Sequence, residues 1–166
     1  MEGVLNLFPF SHFIMSRIAV IGIGNPLMSD DGAGVAVLDI LRGIHMPEVD
    51  IIELGSGGLT LLHRMEGFDS VVLADAVDFG GEPGEVRIFS PDDVNSVKTV
   101  GYSLHDVDIL KVIELARQID QCPQRIMIAA IQPVKLEHST EMSEPVRGNL
   151  EVLADRIREL VLEWAE

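Results

Sequence analysis

The chain has 166 residues and 47% hydrophobic content, enough to bury the core of one domain and too few for two of ordinary size. Twelve basic against 27 acidic residues give a formal net charge of −15, which repels a nucleic-acid backbone or an anionic membrane surface and excludes both as expected partners. The lone Cys122 excludes an internal disulfide and fits a reducing cytoplasm, and no apolar run reaches the roughly 18–20 residues that span a bilayer.

One cytoplasmic domain over residues 1–166 is therefore expected. MEGVLNLFPFSHFIM is apolar but lacks the basic start and small-residue cleavage site of a secretory signal. Residues 1–14 are read as an N-terminal extension and 17–164 as the core.

RIAVIGIG, from Arg17 to Gly24, is a continuous apolar run of the kind that fills a parallel sheet buried on both faces. A helix follows, with Val35, Val37, Leu38 and Leu41 at near-helical spacing and Gly43 as a stop. VDIIEL (49–54) predicts a second strand, and GSGG turns from it into a helix with Leu59, Leu61, Leu62 and Met65. SVVLADAV (70–77) predicts a third, buried strand, and GEVRIFS an edge strand. A loop runs to Tyr102, and His105 opens a helix whose stripe is Val107, Ile109, Leu110, Ile113 and Leu115. RIMIAAIQ predicts the last strand, and one long terminal helix follows, capped by Ser143 or Glu144 with Pro145 in its first turn.

Alternating strands and helices with short connections predict an α/β fold of three layers: a mostly parallel, twisted sheet of about five strands with helices on both faces. Ligands of such sheets bind beyond the carboxyl ends of the strands. Three loops at that edge carry polar groups: Asp30 and Asp31 in GIGNPLMSDDGAG, Asp75 at the end of the third strand, and His105.

The first loop admits several readings. Gly22 and Gly24 supply two positions of a dinucleotide-binding GxGxxG, with Glu53 as a ribose-binding acid, but Leu27 occupies the third, and two aspartates stand where a pyrophosphate would dock. Plain helix capping by Asp30 or Asp31 is a second reading. In the third, Asp31, Asp75 and His105 make a three-ligand set for a divalent transition metal, with positions left open for substrate or water. His12 lies in the extension, His45 and His63 fit surface or packing roles, and His138 is a candidate at the rim. No HExxH helix is present, Ser56 lacks the surroundings of GxSxG, and Cys122 reads as structural.

GIGNPLMSDDGAG resembles the GxGNxxxxDDGxG signature of the hydrogenase maturation proteases, and the likeness continues through ELGSGGLTLL, LADAVDFGGEPGEV, YSLHDVDIL and IQPVKLEHSTEMSEPV. It spans Arg17 to Trp164. The resemblance implies an endopeptidase that removes the C-terminal extension of a nickel-loaded [NiFe]-hydrogenase large-subunit precursor. It places the metal-binding and catalytic residues on Asp31, Asp75 and His105. Nickel is expected to come from the precursor, and cadmium or zinc to substitute in the isolated protein. A monomer is expected. Where many relatives have aspartate and glycine this chain has Glu53 and Leu54, so Glu53 is not counted as a ligand. The competing class is a non-hydrolytic nickel- or nucleotide-binding module of hydrogenase assembly.

Overall fold

The structure, a computed structural model, describes residues 16–94 and 104–166, and the side chains of all of these except 104–108. The expected extension at 1–14 and the loop through Tyr102 lie outside the described residues.

Five strands form one sheet in the order β2-β1-β3-β5-β4: β1 (Ile18–Ile23), β2 (Val49–Gly55), β3 (Ser70–Ala76), β4 (Val86–Phe89) and β5 (Arg125–Ile131). All neighbours pair in parallel except β4, which runs antiparallel to β5 at the edge. Every residue of β1 and β3 is buried, which accounts for their unbroken apolar sequences. The outer strand β2 is half-exposed, and it mixes polar with apolar residues accordingly.

Alternation along the strands divides the core in two. Val20, Val72 and Ala74 point to one face, where α1 (Ala33–Arg42) packs Val37, Leu38 and Leu41, and α5 (Leu150–Ala165) packs Leu153, Ile157 and Val161. Ile21, Leu73 and Ile128 point to the other, against Leu61 and Met65 of α2 (Thr60–Met65) and Ile109, Val112, Ile113 and Ala116 of α3 (Leu104–Gln118). Each fully buried Leu or Ile contributes about 1.5–3 kcal/mol of transfer free energy. The α3 stripe thus includes Val112 and Ala116, which the sequence reading passed over, while Leu115 is only half-buried.

Two expectations need correction. The terminal segment is two helices, α4 (Glu144–Gly148) and α5, because Asn149 leaves helical geometry at φ −110°, ψ 8°. Ser143 holds the expected N-cap position, of α4, but makes no side-chain cap, because its hydroxyl donates to Asp30. Gly43 ends α1 with φ −74°, so no left-handed residue is involved in that stop. Among the described residues no helix is long and apolar enough to cross a membrane.

Candidate active site

The loop leaving β1 is shaped by backbone contacts that only glycine permits. Gly24 has φ +134°, and a Cβ there would overlap the Asp31 carbonyl oxygen. A Cβ at Gly22 would overlap Gly34 of α1, and one at Gly34 would overlap the carbonyls of Ile23 and Ala74. The glycines therefore let the first turn of α1 sit directly on the ends of β1 and β3. The close approach of backbone at Gly22 and Gly24 accounts for both glycines without a bound ligand.

Asp30 and Asp31 lie in a 3-10 turn, Ser29–Gly32, that joins the loop to α1. Gly32 holds the N-cap position of α1, so neither aspartate caps that helix in the ordinary way. The two carboxylates serve different neighbours. Asp31, 4% exposed, accepts a hydrogen bond from the Asn25 N–H at 2.9 Å, which ties it to its own loop. Asp30, fully buried, accepts from the backbone N–H groups of Val134 (2.8 Å), Lys135 (3.0 Å) and Ser143 (2.7 Å), and from the Ser143 hydroxyl (2.8 Å). Burial alone would raise the Asp30 pKa, but these donors outweigh it and hold the carboxyl below its ordinary range.

Asp75 is 2% exposed near the carboxyl end of β3, one residue beyond Ala74, the partner of Gly22 in the β1–β3 register. It lies on the wall of a small cavity of about 30 Å³ otherwise lined by apolar side chains, among them Leu73, Phe89, Ile109 and Ile128. Such surroundings strengthen any charge interaction the carboxylate makes. Because Leu73 packs on the α3 face of the sheet and Asp75 follows two residues later, Asp75 is directed to the same face. His105 is the second residue of α3, and its side chain lies outside the described residues. Among the described residues no three His, Cys, Asp or Glu side chains form a group that could hold a metal ion.

Glu53 stands away from this arrangement. It is half-exposed on the outer strand and faces Arg42 of α1 at 4.0 Å, just where the β1–β2 register shifts. His138 is exposed on the loop after β5, and His45 and His63 are exposed as well.

One polar residue that frames the site went unread in the sequence. Gln132, 7% exposed at the end of β5, accepts at its Oε1 from Phe79 N–H and Gly81 N–H, both at 3.0 Å, and its Nε2 donates to Asp78 at 2.9 Å. It fixes the loop that follows Asp75. A glutamine directly after a buried apolar strand was the available signal.

A family model described as hydrogenase maturation protease matches residues 36–160. The chain is 33% identical over 153 residues to the hydrogenase expression/formation protein HupD of Bradyrhizobium diazoefficiens, covering 90% of this chain and 80% of that protein. It is 28% identical to the hydrogenase 2 maturation protease of Escherichia coli, covering 85% and 88% of the two chains. Among solved structures, the E. coli hydrogenase maturating endopeptidase HybD superposes with a TM-score of 0.79 at 26% identity over 89% of this chain and 93% of its own. The [NiFe] hydrogenase maturation protease HycI of Thermococcus kodakarensis gives 0.68 at 31% identity, over 87% and 91%. With that family match and those relatives, the chain belongs to the hydrogenase maturation protease family, and it is a peptidase.

Proposed function

We propose that this peptidase removes the C-terminal extension of a [NiFe]-hydrogenase large-subunit precursor after nickel insertion, and that Asp31, Asp75 and His105 engage the nickel seated in that precursor. The supporting observation is the burial of Asp31 and Asp75 where β1 and β3, adjacent parallel strands, end together, with the start of α3 on the face to which Asp75 is directed. Carboxylate oxygens and an imidazole nitrogen suit a divalent first-row transition ion, and cadmium or zinc can take its place in the isolated protein.

The nickel is part of the substrate. Its chemistry is Lewis-acid polarisation of the water or carbonyl involved in hydrolysis. The protein's own share is to hold the cut segment in reach and to take a proton from the attacking water on the Asp31 or Asp75 carboxylate. Precursor without nickel offers the trio nothing to hold, so insertion is read before cutting. The reading includes a monomer working in the cytoplasm.

The test is to incubate the purified chain with nickel-loaded and with nickel-free precursor and to measure product mass. Loss of a defined C-terminal peptide from the loaded form alone supports the reading. Equal cutting of both forms, or processing at normal rate by Asp31→Ala, Asp75→Ala and His105→Ala, contradicts it.

A further inference from the structure

Asp30 takes no part in the chemistry proposed above, yet it is fully buried beside Asp31. Its Oδ1 accepts from the Ser143 N–H (2.7 Å). Its Oδ2 accepts from the N–H groups of Val134 (2.8 Å) and Lys135 (3.0 Å) and from the Ser143 hydroxyl (2.8 Å). Both oxygens thus face backbone donors. Asparagine has the same shape but cannot serve in this place, because whichever way its amide turns, the NH2 group meets an N–H.

These bonds act on the turn Ser29–Gly32, all four of whose residues are buried. The turn is strained at its first residue: Ser29 adopts φ +54°, a conformation that persists for a residue with a side chain only where the surroundings over-determine it. The Ser139 carbonyl accepts from the Ser29 N–H (2.7 Å) and the Glu141 carbonyl from the Ser29 hydroxyl (3.0 Å), so Ser29 and Asp30 grip the same 133–143 loop from successive positions. One residue on, the Asp31 carboxylate takes the Asn25 N–H at 2.9 Å. So short a turn leaves little freedom between adjacent side chains, and where Asp30 is anchored decides where the Asp31 carboxylate stands.

We propose that Asp30 is a positioning residue for Asp31: by anchoring the Ser29–Gly32 turn to the 133–143 loop, its carboxylate sets the place and direction of the Asp31 carboxylate. The inference rests on the reading of Asp31 as a metal ligand, and it adds a group that orients the ligand while its own oxygens are occupied by N–H and O–H donors.

Two readouts on the full chain test it: calorimetric titration with cadmium(II) alone, and the NMR scalar coupling across the hydrogen bond between the Asn25 amide nitrogen and the Asp31 carboxyl carbon. Asp30→Asn is expected to weaken cadmium binding at least about tenfold and to diminish or abolish that coupling. Val161→Ala is the control for lost stability. Val161 is buried on α5 three residues before Trp164, whose ring lies under Arg125, the first residue of β5, at the opposite edge of the sheet. Its truncation should lower Tm and leave both readouts at wild-type values. Should Asp30→Asn fail to fold, Ser143→Ala keeps the three N–H donors, and a weakening of about threefold with a smaller loss of coupling is expected. Wild-type cadmium affinity and an unchanged coupling in Asp30→Asn, or in Ser143→Ala where it stands alone, would overturn the proposal, as would equal losses in Val161→Ala. Wild type that binds no cadmium, or Asp31→Ala that binds it as tightly as wild type, counts against the metal reading alone, and the coupling still decides whether Asp30 positions Asp31.

Discussion

Gly34 in the first turn of α1 lies so close to Ala74 of β3 that a single added carbon would overlap the Ala74 carbonyl, one residue before Asp75. The helix that begins just past Asp31 is thereby pressed onto the strand that carries Asp75. The relative placement of the two carboxylates depends on this absence of a side chain.

Gly34→Ala is accordingly expected to destabilise by about 3 kcal/mol or more, because both obstacles, the carbonyls of Ile23 and Ala74, are backbone atoms of buried central strands. Urea unfolding measures this directly. A change below about 1 kcal/mol would mean that α1 shifts easily and does not fix the site.

Asp30→Ala strands the partly buried N–H groups of Val134, Lys135 and Ser143 and is expected to cost about 2 kcal/mol, again read by urea unfolding. The same carboxylate predicts a pH dependence. Its folded pKa is depressed, so the stability it contributes is fully present above the unfolded value of about 3.9 and is lost as pH falls through the folded value. The fall in stability below about pH 4 should therefore be shallower in Asp30→Asn than in wild type. Identical acid limbs would show that Asp30 is not ionised in the fold.

Much of this was legible in the sequence and some was not, for physical reasons. The central strands β1 and β3 declare themselves because burial on both faces demands unbroken apolar runs. Asp75 and the Asp30–Asp31 pair could be assigned to the carboxyl edge because chain direction in a parallel sheet follows from the alternation of strand and helix. The division of labour between Asp30 and Asp31 could not, since the partners of Asp30 lie 104 to 113 positions away and no local pattern encodes such a contact. The break at Asn149 was hidden for a similar reason: the apolar periodicity of the terminal segment is nearly continuous, while its geometry is set partly by the Asn149 side chain donating to the Pro145 carbonyl.

Cys122 sits at the opposite edge of the sheet from Asp75, just ahead of β5, and burial raises its thiol pKa with only partial compensation from Arg117. Alkylation by iodoacetamide should be slow near neutrality and accelerate in the alkaline range, and Cys122→Ser should process precursor at the wild-type rate. Rapid alkylation at pH 7 together with loss of processing would make the thiol a functional group.

The central claim is that Asp31, Asp75 and His105 share one metal ion. The most direct measurement is an anomalous difference map from crystals soaked in nickel or cadmium. One peak within bonding distance of the Asp31 and Asp75 carboxylates and the His105 imidazole is the predicted result. An ion held by other side chains, or the three groups standing too far apart to reach a common ion, would contradict it.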